Sequence, residues 1–424
     1  MFFISCSIFA QEKDSTTFNS TKKLDELVVK SKKPFIEMQV DKMVMNVQND
    51  IVASSGSIFE VLQRAPGVSI TNDENINMAG KAGVNVLIDG RPTQLSAKDL
   101  ANYLKSTPGS AVDKIEIIMN PSAKYDAQGN AGIINIRLKK NTAKGTNGSL
   151  GTAYTQSVHS NINFSGNINH RNGKWNWFAN ASARKWRQNT HGSINRFVNS
   201  NGMEKTFENT TVDQDASKNT DYKAGADLYL DKKNTFGFLI KGNEHSSRLN
   251  TPGTTLIKTN NITDSSLNTL NDNKERTHQF SINLNYKYED TLGTEWNIDA
   301  DYARFRKNTN GYVTTDLLNA QNVKYGYTAN DQTVLTGINI YSIKTDLTRQ
   351  IKKWDTKLEA GFKWNTVQTA NDLDAFTWNG NLFKADTGRT NQFDYTETQY
   401  AAYASLTKKL KKWKYQIGLR AEQT

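Results

Sequence analysis

The sequence predicts an α+β domain followed by an antiparallel transmembrane β-barrel. Helix signals occur only before about residue 140, whereas polar–apolar alternation dominates after it. The links between the alternating strands are alternately short and long, as in outer-membrane barrels. Hydrophobic residues make up 36% of the 424 residues. No run of about 18 apolar residues occurs, so no transmembrane helix is encoded.

The start of the chain favours export. Residues 1–10, MFFISCSIFA, predict a truncated signal peptide with cleavage near Ala10. Residues 11–23 are polar and predict a flexible linker. Cys6 is the only cysteine, which excludes a disulfide framework.

Residues 24–140 mix helix and strand signals and predict a small α+β domain. Ser57 is the predicted cap of its first helix, with Glu60 as the partner in a capping box. Ser96 is the predicted cap of the second helix. The predicted elements are an extended run at 24–29, a strand-like segment at 35–47, helices at 54–65 and 97–105, a hairpin formed by 68–71 and 76–78, and strands at 84–89, 114–119 and 132–138.

Alternation is the main physical signal after residue 141. In Phe280–Glu289 one face is Phe, Ile, Leu, Tyr and Tyr, while the other face is entirely polar. Trp413–Glu422 and Leu358–Thr366 repeat this pattern. Side chains alternate across a strand, so each of these strands has one apolar and one polar face. Their length of about ten residues suits a tilted crossing of a bilayer.

We expect about eleven such strands, joined by short turns at one end and by long loops at the other. The predicted long loops lie near residues 188–219, 246–276, 308–337 and 369–395. The eleventh strand has no predicted closing partner, and lipid does not tolerate an open strand edge. We therefore expect the sequence to hold an incomplete barrel.

Charge and histidine spacing exclude other classes. The net charge is +11, but the lysines cluster in short turns, so solvated turns are favoured over nucleic-acid binding. The run KKLKKWK is interpreted as a turn near anionic headgroups. The five histidines show no H-x-x-x-H or similar spacing. No metal site, cofactor or catalytic constellation is predicted, so we expect no enzyme.

Four motifs, in order, resemble those of TonB-dependent outer-membrane receptors. LDELVV (24–29) is similar to the TonB box, and EVLQRAPGV (60–68) is similar to the first helix and turn of the plug domain. GVNVLIDGRP (83–92) resembles the V-x-x-x-IDG-x-P signature of the plug. KIEIIMNPSAKYDAQGNAGIINIRLKK (114–140) resembles its closing signature. The sequence pattern of these motifs is most similar to that of the Bacteroidetes-type outer membrane beta-barrel family proteins.

The resemblance implies a plug domain at 24–140 and the first part of a barrel of about 22 strands at 141–424. It implies active uptake of a bulky nutrient of the siderophore, glycan or peptide class, energised by the inner-membrane TonB complex. Its implied contacts are outer-membrane lipid and an extracellular ligand, with no nucleic acid. Two departures are Ala79 and Met119, where many family plugs carry arginine.

The candidate site residues also follow from the resemblance. The TonB-box candidates form an extended, partly β-branched run that can add a strand to a partner sheet. The apical-loop candidates follow the IDG strand, where family plugs help to form the ligand site. The TonB-box candidates are Leu24, Asp25, Glu26, Leu27, Val28 and Val29, and the apical-loop candidates are Arg91, Gln94 and Ser96.

Two alternatives stay open on the sequence alone. A passive or adhesive outer-membrane barrel with a plug-like domain would make LDELVV dispensable. A secreted carbohydrate-binding protein would leave rows of Phe, Tyr and Trp half exposed to water, which argues against it.

Overall fold

The computed structural model describes most of the chain after Pro34 and forms two main sheets. The N-terminal six-stranded sheet is called the small sheet, and the sheet formed by β9 to β20 is called the long sheet. The described residues are 34–38, 42–47, 56–71, 75–92, 97–119, 121, 123–125, 132–139, 144–200, 203–410 and 413–424.

The small sheet has the strand order β1-β2-β7-β8-β5-β6. All neighbours are antiparallel except β5 and β8, which are parallel. Two helices and a separate hairpin, β3–β4, accompany it. The bounds are β1 Ile36–Met38, β2 Met43–Asn46, α1 Ile58–Gln63, β3 Val68–Ile70, β4 Ile76–Met78, β5 Asn85–Ile88, β6 Arg91–Pro92, α2 Ala97–Ser106, β7 Val112–Ile118 and β8 Ile133–Leu138.

An apolar core joins the small sheet to its helices. Leu62 of α1 and Leu104 of α2 are fully buried together with Ile115 and Ile134 of the sheet. The predicted capping box of α1 is confirmed: the Ser57 hydroxyl accepts from the Glu60 amide at 3.4 Å, and the Glu60 carboxylate accepts from the Ser57 amide at 3.2 Å. The predicted single strand-like segment at 35–47 is instead two short antiparallel strands, β1 and β2.

The long sheet pairs its strands antiparallel in chain order, with the short β18 attached to β17. The eleven predicted strands are confirmed, and β18 is an additional strand. The edge strands among the described residues are β9 and β20. The bounds are β9 Gly145–Gln156, β10 Ser160–Asn172, β11 Trp175–Ser200, β12 Met203–Tyr229, β13 Asn234–Thr259, β14 Ile262–Glu289, β15 Thr294–Asn319, β16 Lys324–Ile351, β17 Thr356–Trp378, β18 Phe383–Ala385, β19 Asn391–Leu410 and β20 Trp413–Gln423.

The two faces of the long sheet differ in what they contact. The face that meets the small sheet, here called the inner face, carries Lys223 and Asp346, which form ion pairs with residues of the small-sheet region. The neighbours Tyr222 and Leu347 point the opposite way, to the outer face. Residues that are directly paired on neighbouring strands lie on the same face. The pairing therefore assigns each residue of the other strands to the inner or the outer face.

The outer face is apolar near the short turns. Leu284 of β14 lies opposite Phe238 of β13 and Ala300 of β15, and its side chain is 56% exposed. Ile417 and Leu419 of β20 are 74% and 79% exposed. Side chains of this kind, continuous over several strands, require a nonaqueous contact. This band is the lipid-facing surface expected of the alternating strands.

The inner face is polar and internally hydrogen bonded. Asp221 accepts from the Asn219 and Asn243 amides at 2.7 Å each. Asn283 donates to Asp301 at 2.8 Å. These asparagines are almost fully buried, so their amide groups are satisfied by one another and by carboxylates, as buried polar groups must be.

The prediction of four long loops was wrong. The segments near 188–219, 246–276, 308–337 and 369–395 are largely paired strand that extends the hairpins, and strands reach 28 residues. The β13–β14 hairpin, for example, closes at Asn260 and Asn261, whose φ angles are 49° and 65°, as a two-residue type I′ turn needs. Beyond a bilayer no lipid forces one face to be apolar, so alternation disappears while backbone pairing continues.

Among the residues that the structure describes, no helix is both long enough and apolar enough to cross a membrane.

The face assignment predicts opposite outcomes for a lysine at adjacent positions. Leu284→Lys puts a cation on the lipid face, and we expect a loss of about 2–4 kcal/mol in folding free energy. Asn285→Lys puts the same cation on the inner face opposite Asp299, and we expect a change below about 1 kcal/mol. Denaturant titration of folding into lipid vesicles measures both. Equal losses for the two variants would contradict the assignment.

Candidate functional site

A buried carboxylate organises the small sheet. Glu116 of β7 is 2% exposed. Its Oε1 atom lies 3.0 Å from Lys42 Nζ and 3.4 Å from Lys114 Nζ, and its Oε2 atom lies 3.3 Å from Arg137 Nε. The Asn135 amide of β8 donates to the same Oε2 atom at 2.6 Å. One carboxylate therefore ties β2, β7 and β8 together.

The charge environment sets the protonation of Glu116. Burial opposes ionisation, but the charges of Arg137, Lys42 and Lys114 outweigh it and lower the pKa of Glu116 to about 2. The carboxylate is therefore ionised at neutral pH. A buried anion is tolerated here because every oxygen has cationic or amide partners.

Asn135 connects this carboxylate to the turn after β5. While its amide nitrogen binds Glu116, its carbonyl oxygen accepts from the Gly90 amide at 2.9 Å. The Asp89 carboxylate accepts from the Leu138 amide at 3.0 Å. Asp89 and Gly90 have φ angles of 53° and 83°, a left-handed conformation that glycine adopts freely and aspartate tolerates. The IDG motif is thus a fixed turn.

The same turn reaches the long sheet. The second oxygen of Asp89 lies 4.0 Å from Lys223 Nζ on the inner face of β12. Helix α2 packs against β11 and β12 nearby. Burial, and then the Asp221 carboxylate of β12, raise the pKa of Tyr103 on α2. These contacts form one contact region between the small-sheet region and the inner face.

The second contact region involves the loop after β7. Lys124 Nζ lies 3.9 Å from Asp346 Oδ2, and Asp346 also binds Lys344 at 2.8 Å and the Tyr403 hydroxyl. Burial lowers the pKa of Lys124, while Asp346 opposes the shift. Arg420 of β20 donates to the carbonyl of the neighbouring residue, Ala123, at 3.5 Å. In each of these contact regions, the ion pair that joins the two sheets is close to the 4.0 Å limit.

The residues singled out from the sequence are only partly placed. The TonB-box candidates Leu24, Asp25, Glu26, Leu27, Val28 and Val29 lie outside the described residues, as do Gln94 and Ser96. The backbone of Arg91 lies in β6, opposite Ile88 of β5.

The charged cluster was missed by sequence reasoning, although one signal for it existed. Glu116 interrupts an apolar strand, Ile115 to Ile118, and a carboxylate in such a position implies a buried partner. Nothing local indicates that the partners are Lys42 and Arg137, because these lie on other strands. Among the described residues no group of three or more His, Cys, Asp or Glu side chains could hold a metal ion.

Family models match two parts of the chain. Residues 42–133 match the TonB-dependent Receptor Plug Domain, and residues 287–424 match the Outer membrane protein beta-barrel family. The first match runs from the residue before β2 to the first residue of β8, and the second covers the end of β14 through β20. A comparison with curated proteins gave no significant match.

The chain resembles three solved structures, each with a TM-score below 0.5. The ferric citrate transporter FecA in its unliganded form shares 12% identity with a TM-score of 0.47, over 89% of this chain and 62% of FecA. FyuA, the ferric yersiniabactin uptake receptor from Yersinia pestis, shares 13% with a TM-score of 0.40, over 86% and 63%. The siderophore receptor PiuA from Acinetobacter baumannii shares 13% with a TM-score of 0.41, over 87% and 64%. The chain thus spans less than two thirds of each.

Loss of the buried carboxylate should loosen the small sheet. Glu116→Gln leaves Lys42, Lys114 and Arg137 without their common anion, and we expect the local free energy of unfolding to fall by about 2 kcal/mol. Hydrogen exchange of the β7 and β8 amides at neutral pH measures this. Lys139→Gln, at an exposed position directly after β8, is the control, and it should change the value by less than about 0.5 kcal/mol. An unchanged exchange rate in Glu116→Gln would contradict the assigned role.

The same group predicts a dependence on pH. The pKa of Glu116 in the folded chain, about 2, lies below its ordinary value of 4.5. Its contribution is therefore complete above pH 4.5 and is lost as the pH falls towards 2. Hydrogen exchange of the β7 and β8 amides, corrected for intrinsic rates, should show the difference between the native chain and Glu116→Gln shrinking across this interval. A difference that stays constant would show that Glu116 does not titrate there.

The contact at Ala123 predicts a specific crosslink. A Cβ atom at Gly418 would lie 3.0 Å from the Ala123 Cβ atom, close to disulfide geometry. With Cys6 replaced by serine, Ala123→Cys with Gly418→Cys should form a disulfide on mild oxidation, seen as a shift in gel mobility. Ala123→Cys with Leu419→Cys is the control, because Leu419 lies on the outer face. Equal crosslinking of both pairs would contradict the assignment of β20.

Proposed function

We propose an active-transport function for this chain, which belongs to the TonB-dependent receptors of the Gram-negative outer membrane. It takes up a bulky nutrient of the siderophore, glycan or peptide class across that membrane. In this proposal residues 24–140 form the plug domain, and residues 141–424 form the N-terminal part of the barrel. Residues 1–10 are the signal peptide and residues 11–23 are the linker.

One observation carries the proposal: in the described part of the chain, the ion pairs inside the plug are shorter than those that join the plug to the wall. Inside the small sheet, Glu116 has three cations and one amide within 3.4 Å. Between the plug and the long sheet, the described pairs Lys124–Asp346 and Lys223–Asp89 are 3.9 and 4.0 Å long. Long pairs that can be rehydrated contribute little. A pulling force therefore separates the plug from the wall before it breaks the buried network.

The force enters at Leu24–Val29 in this proposal. An extended segment can add a strand to the edge of a partner sheet, where main-chain hydrogen bonds give the affinity. The linker at 11–23 lets the segment reach the TonB protein in the periplasm. No chemical step is assigned to the chain, whose residues bind, hold and release the nutrient.

The ligand contacts are assigned to the outward loops of the plug. Arg91, Gln94 and Ser96 follow the fixed Asp89–Gly90 turn, which anchors this loop through Asn135 to the buried carboxylate. Loops on rigid supports are common binding sites. Ligand binding at this loop would act directly on Asp89 and on its contact with Lys223 of the wall.

The alternative is a passive or adhesive barrel in which the plug is a fixed stopper. It shares the fold and the membrane location, but it requires no partner in the periplasm. The secreted carbohydrate-binding alternative is excluded by the outer-membrane location.

Capture by the C-terminal domain of TonB separates the two functions. The full chain in detergent should be retained on immobilised TonB domain, and deletion of Leu24–Val29 should abolish retention. Deletion of Ser15–Ser20, which removes six linker residues, is the matched control and should leave retention intact. The passive barrel would be favoured if the TonB domain did not retain the full chain, or if it still retained the chain without Leu24–Val29.

A further inference from the structure

A set of six cations, here called the basic belt, lies on the outer face of the long sheet. All six side chains are exposed, and pairing places them on the face opposite to the plug. They occupy two patches, one on β11–β12 and one on β14–β15. The basic belt consists of Lys185, Arg187, Lys218, Arg276, Arg304 and Arg306.

The belt begins where the apolar band ends. On β15 the outward apolar residues of the band end at Tyr302, and Arg304 and Arg306 are the next two outward positions. On β14 the outward series from Phe280 continues through His278 to Arg276. Tyr222 of β12 precedes Lys218 in the same way, separated by Thr220. The cations therefore lie at the boundary of the lipid-facing surface, on the side of the long hairpins.

Like charges are placed next to each other in both patches. Lys185 and Lys218 are directly opposite each other across β11–β12. Arg306 lies opposite His278, so Arg276 is its diagonal neighbour, and Arg304 is two residues away on the same face. Like charges in such positions repel at distances of about 5–8 Å. Such an arrangement is stabilised by an anion that bridges them.

Carboxylates on the chain do not fill this role. On the same face Arg248 binds Asp272 through two hydrogen bonds of 2.7 and 2.9 Å, and His278 contacts Glu244. These nearby carboxylates are therefore already engaged. Within the part of the chain that the structure describes, none of the six belt cations lies within 4.0 Å of a carboxylate oxygen.

We propose that the basic belt binds the phosphate groups of anionic lipid headgroups in the outer leaflet of the membrane. The belt is continuous with the lipid-facing band, so the group that meets it belongs to the same lipid layer. The planar guanidinium groups of Arg276, Arg304 and Arg306 match phosphate oxygens in pairs. Clusters of Lys and Arg beside a membrane surface attract anionic headgroups. The ligand class is a phosphorylated glycolipid or phospholipid, held as a boundary lipid.

The occupant follows from position as well as charge. An acidic protein partner would contact the hairpins at any height, whereas the belt is confined to the first outward positions beyond the apolar band. Further along the hairpins the outer face carries both charges, such as Asp316 with Lys324 at 2.6 Å. Charge of one sign is concentrated only where headgroups lie.

The test uses the full chain in nanodiscs of phosphatidylcholine with either bisphosphorylated lipid A or lipid A from which both phosphates have been removed. Retention of each glycolipid after detergent extraction is measured by native mass spectrometry. We expect preferential retention of the phosphorylated form. The triple variant Arg276→Gln, Arg304→Gln, Arg306→Gln should reduce that retention at least about tenfold, because each cation near a membrane surface attracts anionic lipid.

Two further variants make the result specific. Arg196→Gln, Lys205→Gln, Lys384→Gln removes the same three charges from the hairpins, outside the belt, and should leave retention within about twofold. Lys185→Gln with Lys218→Gln tests the second patch separately, so a folding failure of the triple variant does not decide the question. Equal retention of the two glycolipids, or an unchanged preference in both belt variants, would overturn the proposal.

Discussion

The constraint on which this structure depends is that a strand within lipid must satisfy its backbone through its neighbours and present only apolar side chains outwards. In the long sheet this constraint fixes period-two alternation near the short turns. Leu284 faces lipid while Asn283, one residue away, is buried in hydrogen bonds on the inner face. Because the outer face is committed to lipid, every polar contact with the plug must come from the inner face, as Lys223 and Asp346 show.

Three sets of charged residues on this chain have different surroundings. Glu116 and its cations are buried in the small sheet, where low dielectric strengthens each contact. Lys223 and Asp346 meet the plug at the inner wall, at distances that allow water to compete. The basic belt, with Arg304 among its members, is exposed on the outer face. Under the proposed function, the plug would move away from the wall as a unit, while lipids bound at the basic belt would help the barrel to resist the same force.

Much of the fold was predictable because its rules are local. Ser57 and Glu60 form the predicted capping box, and the eleven predicted strands are present. The long loops were predicted wrongly because alternation was taken as the mark of a strand. The segment at 246–276 lacks it and is nevertheless paired nearly throughout. Polar–apolar alternation indicates that one face of a strand contacts lipid, and a strand without lipid contact need not show it. A hairpin that extends beyond the membrane therefore loses the alternation but keeps its backbone hydrogen bonds.

The sequence by itself determined the order of elements, the face of each membrane strand and the motifs that resemble a plug. These depend on residues within a few positions of one another. Only the tertiary structure decided that the turn at Asp89–Gly90, strand β7 and strand β8 form one network, in which Asn135 joins Gly90 to Glu116. It also decided that Lys124 meets Asp346, more than two hundred residues away. Pairings of this kind leave no periodic signal, because each depends on which strands the whole chain brings together.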